Sequence, residues 1–161
     1  GYLRGHVYGY EALEDPAVER LLLAAWREAE AGVAEAYGVP REWLEAHATD
    51  LRRRFANRAL GDTIIRLARD PLRKLAPEDR LVGAARLAER AGLAPDALAW
   101  AIAAAYRFDS LEDLIAAQLQ ERVATLGLAG ALEAVSHIQP GEPLGQRVLD
   151  HYARLSRGEW P

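Results

Sequence analysis

The chain has no cysteine and no methionine among its 161 residues, and only one lysine, Lys74, stands beside nineteen arginines. Without cysteine there are no disulfides, no thiolate chemistry and no cysteine-ligated zinc. No apolar run reaches the 18 or more residues that a membrane-spanning helix needs. There is no secretory leader pattern, and a cytoplasmic location fits. The thirteen glycines contain neither Gly-x-Gly-x-x-Gly nor a Gly-Lys-Ser/Thr loop, so no phosphate-cradling motif for a nucleotide is present. The four histidines lie far apart, at positions 6, 47, 137 and 151, in no metal-binding spacing, and no metal is expected. A chain that opens on Gly1 and contains no methionine reads as a piece of a longer protein.

What is present is an ordinary soluble composition. Half the residues are apolar, 27% are charged and the net charge is -4, which points to neither a nucleic-acid partner nor a membrane surface. The charge is unevenly placed. From Asp50 to Arg90 there are eleven Arg/Lys against six Asp/Glu, a local +5, leaving about -9 for the rest.

The pattern is helical nearly throughout. β-branched residues are sparse and nothing alternates with period 2. Gly1, Gly5 and Gly9 recur every four residues beside Tyr2, His6 and Tyr10; on a helix they form one smooth stripe, suited to close packing rather than to a ligand site. Asp15-Pro16 is an N-cap followed by proline at the first helical position. From Val18 to Tyr37 apolar residues recur at threes and fours, and Gly38 is placed to end that helix. Pro40 opens the next, to Phe55. Asp62 is a cap for a short helix to Ala68. Prolines 71 and 77 disfavour helix at the residues before them, so 70–76 is a connector, within which Asp70-Pro71 is suited to open a new turn. Helices follow at about 81–91, 94–106, 111–126, 129–137 and 144–155. The 94–106 helix is apolar nearly all round and should be buried. Leu111, Leu114, Ile115, Leu119, Val123 and Leu126 form the apolar stripe of the next. We read one all-α domain over 1–161.

Candidate chemistry falls in the basic stretch. Arg66, Arg69, Arg73 and Lys74 are four cations within nine residues. Arginine can supply ordinary surface charge, whereas lysine is a compact ammonium with three rotatable donors that titrates when buried. Together with the free N–H groups of a helical start, such cations suit a phosphate, a carboxylate or a row of hydroxyls. The competing reading is a solvated charged surface and a lysine left by compositional bias. Arg52-Arg53-Arg54 fits the solvated reading, because three successive helical positions spread over roughly 200°.

The same stretch carries a resemblance. Arg54-Phe55-Ala56-Asn57, Asp62-Thr63-Ile64-Ile65-Arg66-Leu67, Arg69-Asp70-Pro71-Leu72-Arg73-Lys74-Leu75 and Asp79-Arg80-Leu81 resemble the C-terminal domain of the mannitol-1-phosphate 5-dehydrogenase and mannitol dehydrogenase family, the polyol-specific long-chain dehydrogenases. Ile102 to Phe108 and the opening Tyr2-Leu3 to Tyr10 are similar to other segments of that family. Arg58 departs from it, standing where the family pattern Phe-x-Asn-Pro has proline.

The resemblance implies an all-α, multi-helix substrate domain like the C-terminal domain of 6-phosphogluconate-dehydrogenase-like enzymes. The Rossmann domain that would precede it is absent from this chain. It also implies metal-independent hydride transfer between NAD, held mainly by that Rossmann domain, and a sugar alcohol or its phosphate, here mannitol 1-phosphate and fructose 6-phosphate. The family's general-base lysine, in a motif with asparagine and histidine, would precede Gly1, so no catalytic residue is expected here and Lys74 is not that base. Arg66 and Lys74, eight residues apart, match a pair that lines the substrate pocket. Arg73 is a candidate for a phosphate and Asn57 for orienting the segment. The expected partners are the substrate and the chain's own N-terminal domain. A related hexuronate reductase or non-phosphorylated polyol dehydrogenase is the alternative within the class. Outside it stands a helical interaction module docking an acidic partner or RNA, although Phe55 is the only aromatic among the basic residues from 52 to 74.

Overall fold

The computed structural model describes all residues from Gly1 to Pro161. Nine α-helices follow one another, α1 (Gly9–Glu14), α2 (Pro16–Tyr37), α3 (Arg41–Phe55), α4 (Ile64–Ala68), α5 (Pro71–Lys74), α6 (Val82–Arg90), α7 (Asp96–Tyr106), α8 (Leu114–Ser136) and α9 (Pro143–Ser156). There is no strand, only an isolated antiparallel bridge between Tyr8 and Thr63.

Most helix boundaries follow local chemistry. The Asp15 side chain accepts from the Ala17 N–H at the start of α2, and Gly38, with φ of 65°, ends it in the left-handed region that glycine adopts freely. α7 starts differently. Its N-terminus has no cap of its own, and Glu28 of α2 accepts from the backbone N–H groups of Ala97 and Leu98 at 2.9 and 2.8 Å. One carboxylate thus satisfies two orphan donors of the most apolar helix from across the core and complements its positive end.

α7 lies at the centre, packed mainly on α2 and α9, while α2 also packs on α6. Ile102, Ala103 and Tyr106 of α7 are fully buried, with Leu75, Val82, Leu119, Leu132, Ile138, Leu144 and Val148 in the same cluster. The Tyr106 hydroxyl donates to the Ala131 carbonyl and lies 2.6 Å from Ser136 Oγ, tying α7 to the second half of α8. Burial pushes this phenol up to about 12.

Three expectations need correction. Residues 1–10 are not one helix. A 3-10 turn, Tyr2–Arg4, ends at Gly5 with φ of 76°, and an extended Tyr8 then bridges to Thr63 immediately before α1, the Gly9 N–H donating to the Asp62 carbonyl and the Ile64 N–H to that of Val7. Pairing of both Arg4 and His6 with Asp15 folds the segment back, so the glycine stripe does not form. The cap of α4 is Thr63, whose hydroxyl accepts from the Arg66 N–H, and Asp62 instead pairs with Arg66 Nη1 at 2.7 Å. The stripe from Leu111 is also only half buried. Asp113 starts α8 two residues later than its first leucine, leaving Leu111 wholly exposed and Leu114 79% exposed, while Leu119 is buried. The break between 126 and 129 is real. Gly127, at φ 68° and ψ 167°, interrupts α8.

Candidate functional site

The basic stretch folds as two short helices joined at a sharp corner. α4 ends at Ala68, and Asp70 takes the left-handed conformation, with φ of 57°. Few non-glycine residues do so, and Asp is among those that tolerate it. The Asp70 carboxylate then caps α5, accepting from the Arg73 backbone N–H, with Pro71 at the first helical position. Pro71 and Leu75 are buried, which anchors α5 as a rigid turn on the core.

Lys74 points back across this corner. Its Nζ donates to the Leu67 carbonyl at 2.8 Å and also to the Arg69 carbonyl. These belong to the C-terminal end of α4, where carbonyls lack helical partners and a cation is favoured. An ammonium has three donors, so one N–H of Lys74 remains for a ligand. Burial, and then the neighbouring Arg80 and Arg73, lower its proton affinity below that of an ordinary lysine.

The other named residues are more exposed. The Arg66 side chain is 66% exposed and is held by Asp62. Arg73 pairs with Asp70 at 2.8 Å and lies 3.6 Å from Asp79, with the result that its charge is already largely matched. Asn57 is exposed and its side-chain oxygen accepts from the Ala59 N–H, capping a 3-10 turn. Arg58 pairs with Glu14 and stacks over Tyr10, tying that turn to α1. Arg73 and Lys74 thus share α5, Arg66 on α4 is turned to Asp62, and Asn57 has a local structural task in the turn before α4. Arg52 and Arg53 pair with Glu19 and Asp50 on the surface of α3, as a solvated face would.

A cavity of about 490 Å3 opens beside the corner. Its walls include Leu13, Leu21, Ile64, Leu67, Ala105 and Phe108, and Lys74 is the only one of the four candidate residues that lines it. A hydroxyl-rich ligand would lose its hydrogen bonds to water against such walls. Arg66 and Arg73 lie outside that cavity, with Lys74 at the junction between it and the corner.

Sequence reading missed Asp113. Its carboxylate is buried, accepting from the Ile115 N–H at 2.9 Å and from the Asp70 N–H at 2.9 Å. An acidic residue just before an apolar helix announces the first contact. Nothing local announces the second, 43 residues away in sequence.

The chain is thus an all-helical domain with a cationic corner between α4 and α5. The chain belongs to the mannitol dehydrogenase C-terminal domain family, whose profile matches residues 1–139. Among curated relatives it is similar to mannitol-1-phosphate 5-dehydrogenase of Caldanaerobacter subterraneus subsp. tengcongensis, 32% identical over 96% of this chain and 40% of the relative. The enzyme of that name from Bacillus subtilis is 38% identical over 92% of this chain and 39% of its own length. That of an Arthrobacter species is 42% identical over 83% and 35%. The chain thus spans about two fifths of the length of the first of these.

Proposed function

We propose that this chain is the substrate-binding domain of an NAD-dependent dehydrogenase that interconverts mannitol 1-phosphate and fructose 6-phosphate. The observation that carries the reading is Lys74. It is a half-buried ammonium with one donor left over, on a corner that also bears Arg66 and Arg73, in a chain whose relatives are named for this reaction. In this reading Lys74 and Arg66 bind hydroxyl or phosphate oxygens of the substrate. NAD and the proton-abstracting base belong to a Rossmann domain and to a motif before Gly1.

The test is steady-state kinetics of the full-length enzyme. Lys74→Ala removes a charge-assisted hydrogen bond of about 1.5–3 kcal/mol, so KM for the sugar phosphate should rise about 10- to 100-fold. KM for NAD should stay within about twofold, a shift of under 0.5 kcal/mol. An effect confined to NAD would overturn the assignment. The 161-residue chain by itself should turn over neither substrate.

One observation favours a second reading. Because Asp70 and Asp79 already neutralise much of the Arg73 charge, a non-phosphorylated polyol or hexuronate fits the corner without a dedicated phosphate cation. Arg73→Ala separates the two. It weakens a phosphorylated substrate selectively if Arg73 leaves its carboxylates for the phosphate, and affects both substrate types equally if it does not.

A further inference from the structure

Asp70 is one of only two non-glycine residues in the chain with positive φ. Such a conformation costs roughly 1–3 kcal/mol and persists only where the surroundings over-determine it. Its backbone is held at both ends. The Asp70 carbonyl accepts from the Lys74 N–H, and the Asp70 N–H donates to Asp113 Oδ2. Asp113 is itself rigid, because its other oxygen caps α8 and its side chain is buried. A full negative charge has thus been placed in the interior, 43 residues along the chain, to grip a single backbone N–H. A neutral cap such as Ser or Asn would serve α8 alone equally well. The second oxygen is explained only by the corner.

The consequence reaches Lys74. Its side chain bonds to the carbonyls of Leu67 and Arg69, on the N-terminal side of Asp70, while its backbone lies one helical turn after Asp70. The direction of the remaining N–H is therefore set by the angle of the corner, and the corner is set by the bond from Asp70 to Asp113. This carboxylate is also close enough to favour the charged form of the ammonium.

We infer that Asp113 is a positioning residue for substrate binding, fixing the Asp70 corner so that Lys74 presents its free donor to the substrate. The inference rests on the assignment of Lys74 to the substrate site.

The experiment uses the full-length enzyme with Asp113→Asn, Lys74→Ala and the double variant, measuring KM for the sugar phosphate, KM for NAD and kcat. Asn preserves the shape and the α8 cap but has one acceptor instead of two. The expected result for Asp113→Asn is about a tenfold rise in sugar-phosphate KM, the size of losing about one hydrogen bond to a charged group, with NAD KM unchanged. In the Lys74→Ala background the same substitution should add almost nothing, which a merely structural role would not produce. If Lys74→Ala leaves sugar-phosphate KM unchanged, the substrate site itself is misplaced. If Lys74→Ala raises it but Asp113→Asn does not, or if the two effects multiply, the substrate site stands and the positioning role falls. Should Asp113→Asn fail to fold, Asp113→Thr, which keeps a capping hydroxyl too short to reach Asp70, takes its place. Failure of both to fold marks Asp113 as structural only and also overturns the inference.

Discussion

The α7 core and the corner at α4–α5 are held together in opposite ways. Around α7, stability comes from apolar side chains with no water contact, which is non-directional and collective. Around the corner nearly every named contact is polar and directional: Thr63 to Arg66, Asp70 to Arg73, Lys74 to Leu67, Asp113 to Asp70. Pro71 and Leu75, with Leu72 partly buried beside them, plug the corner into the core. The core can thus set the fold while the corner sets which donors face outward, and substitutions should separate the two.

The largest effect should come from the core. Ile102→Ala, at a fully buried site, should lower stability by about 2–5 kcal/mol. At about 2–4 °C of Tm per kcal/mol for a domain of this size, calorimetry will resolve it easily. A loss below 1 kcal/mol would show that α7 is not the centre of the cooperative unit. Thr63→Ala tests the other side. Loss of a helix N-cap should cost about 0.5–2 kcal/mol, and hydrogen exchange should show the lost protection concentrated in Ile64–Ala68 rather than spread through α7.

The third prediction concerns acid. Pairing with His6 and Arg4 holds the Asp15 carboxyl well below the usual carboxylate range. A folded-state value below the unfolded one gives stability that is present above about pH 4 and lost as pH falls further. Asp15→Asn should therefore lower the midpoint of thermal unfolding at pH 7, and the gap to the wild type should narrow below about pH 4. A gap independent of pH would mean that the pairing is not ionic. Smallest of all, Arg53→Ala should change stability by less than about 0.5 kcal/mol, since its pairing with Asp50 is solvated.

How legible these regions were in the sequence also differs. Asp15-Pro16, Gly38, Pro40 and the apolar run at 97–106 announce helices because caps and periodicity act over a few residues. Gly127 was legible as a gap between two apolar stretches. The cations of the corner were legible as a cluster, and Lys74 as the only one of its kind. Their geometry was not, because it depends on Asp113 reaching back to Asp70. The support of α7 by Glu28 was hidden for the same reason, as two partners 69 residues apart leave no local pattern. The glycines at 1, 5 and 9 misled as to the helix, because a repeat every four residues resembles a helix face whereas Gly5 serves a turn, but Gly1 and Gly9 do pack tightly, against Ile64 and Leu67.

The lone lysine has one more consequence. A protease that cuts only after lysine has a single bond to attack in these 161 residues, Lys74–Leu75. Leu75 is fully buried and the Lys74 ammonium is turned inward to two carbonyls. Cleavage must wait for the corner to swing open, so that single cut is a clock whose rate follows how much of the time the corner stands open, so long as reclosing outpaces cleavage. A substrate that binds there should slow the clock.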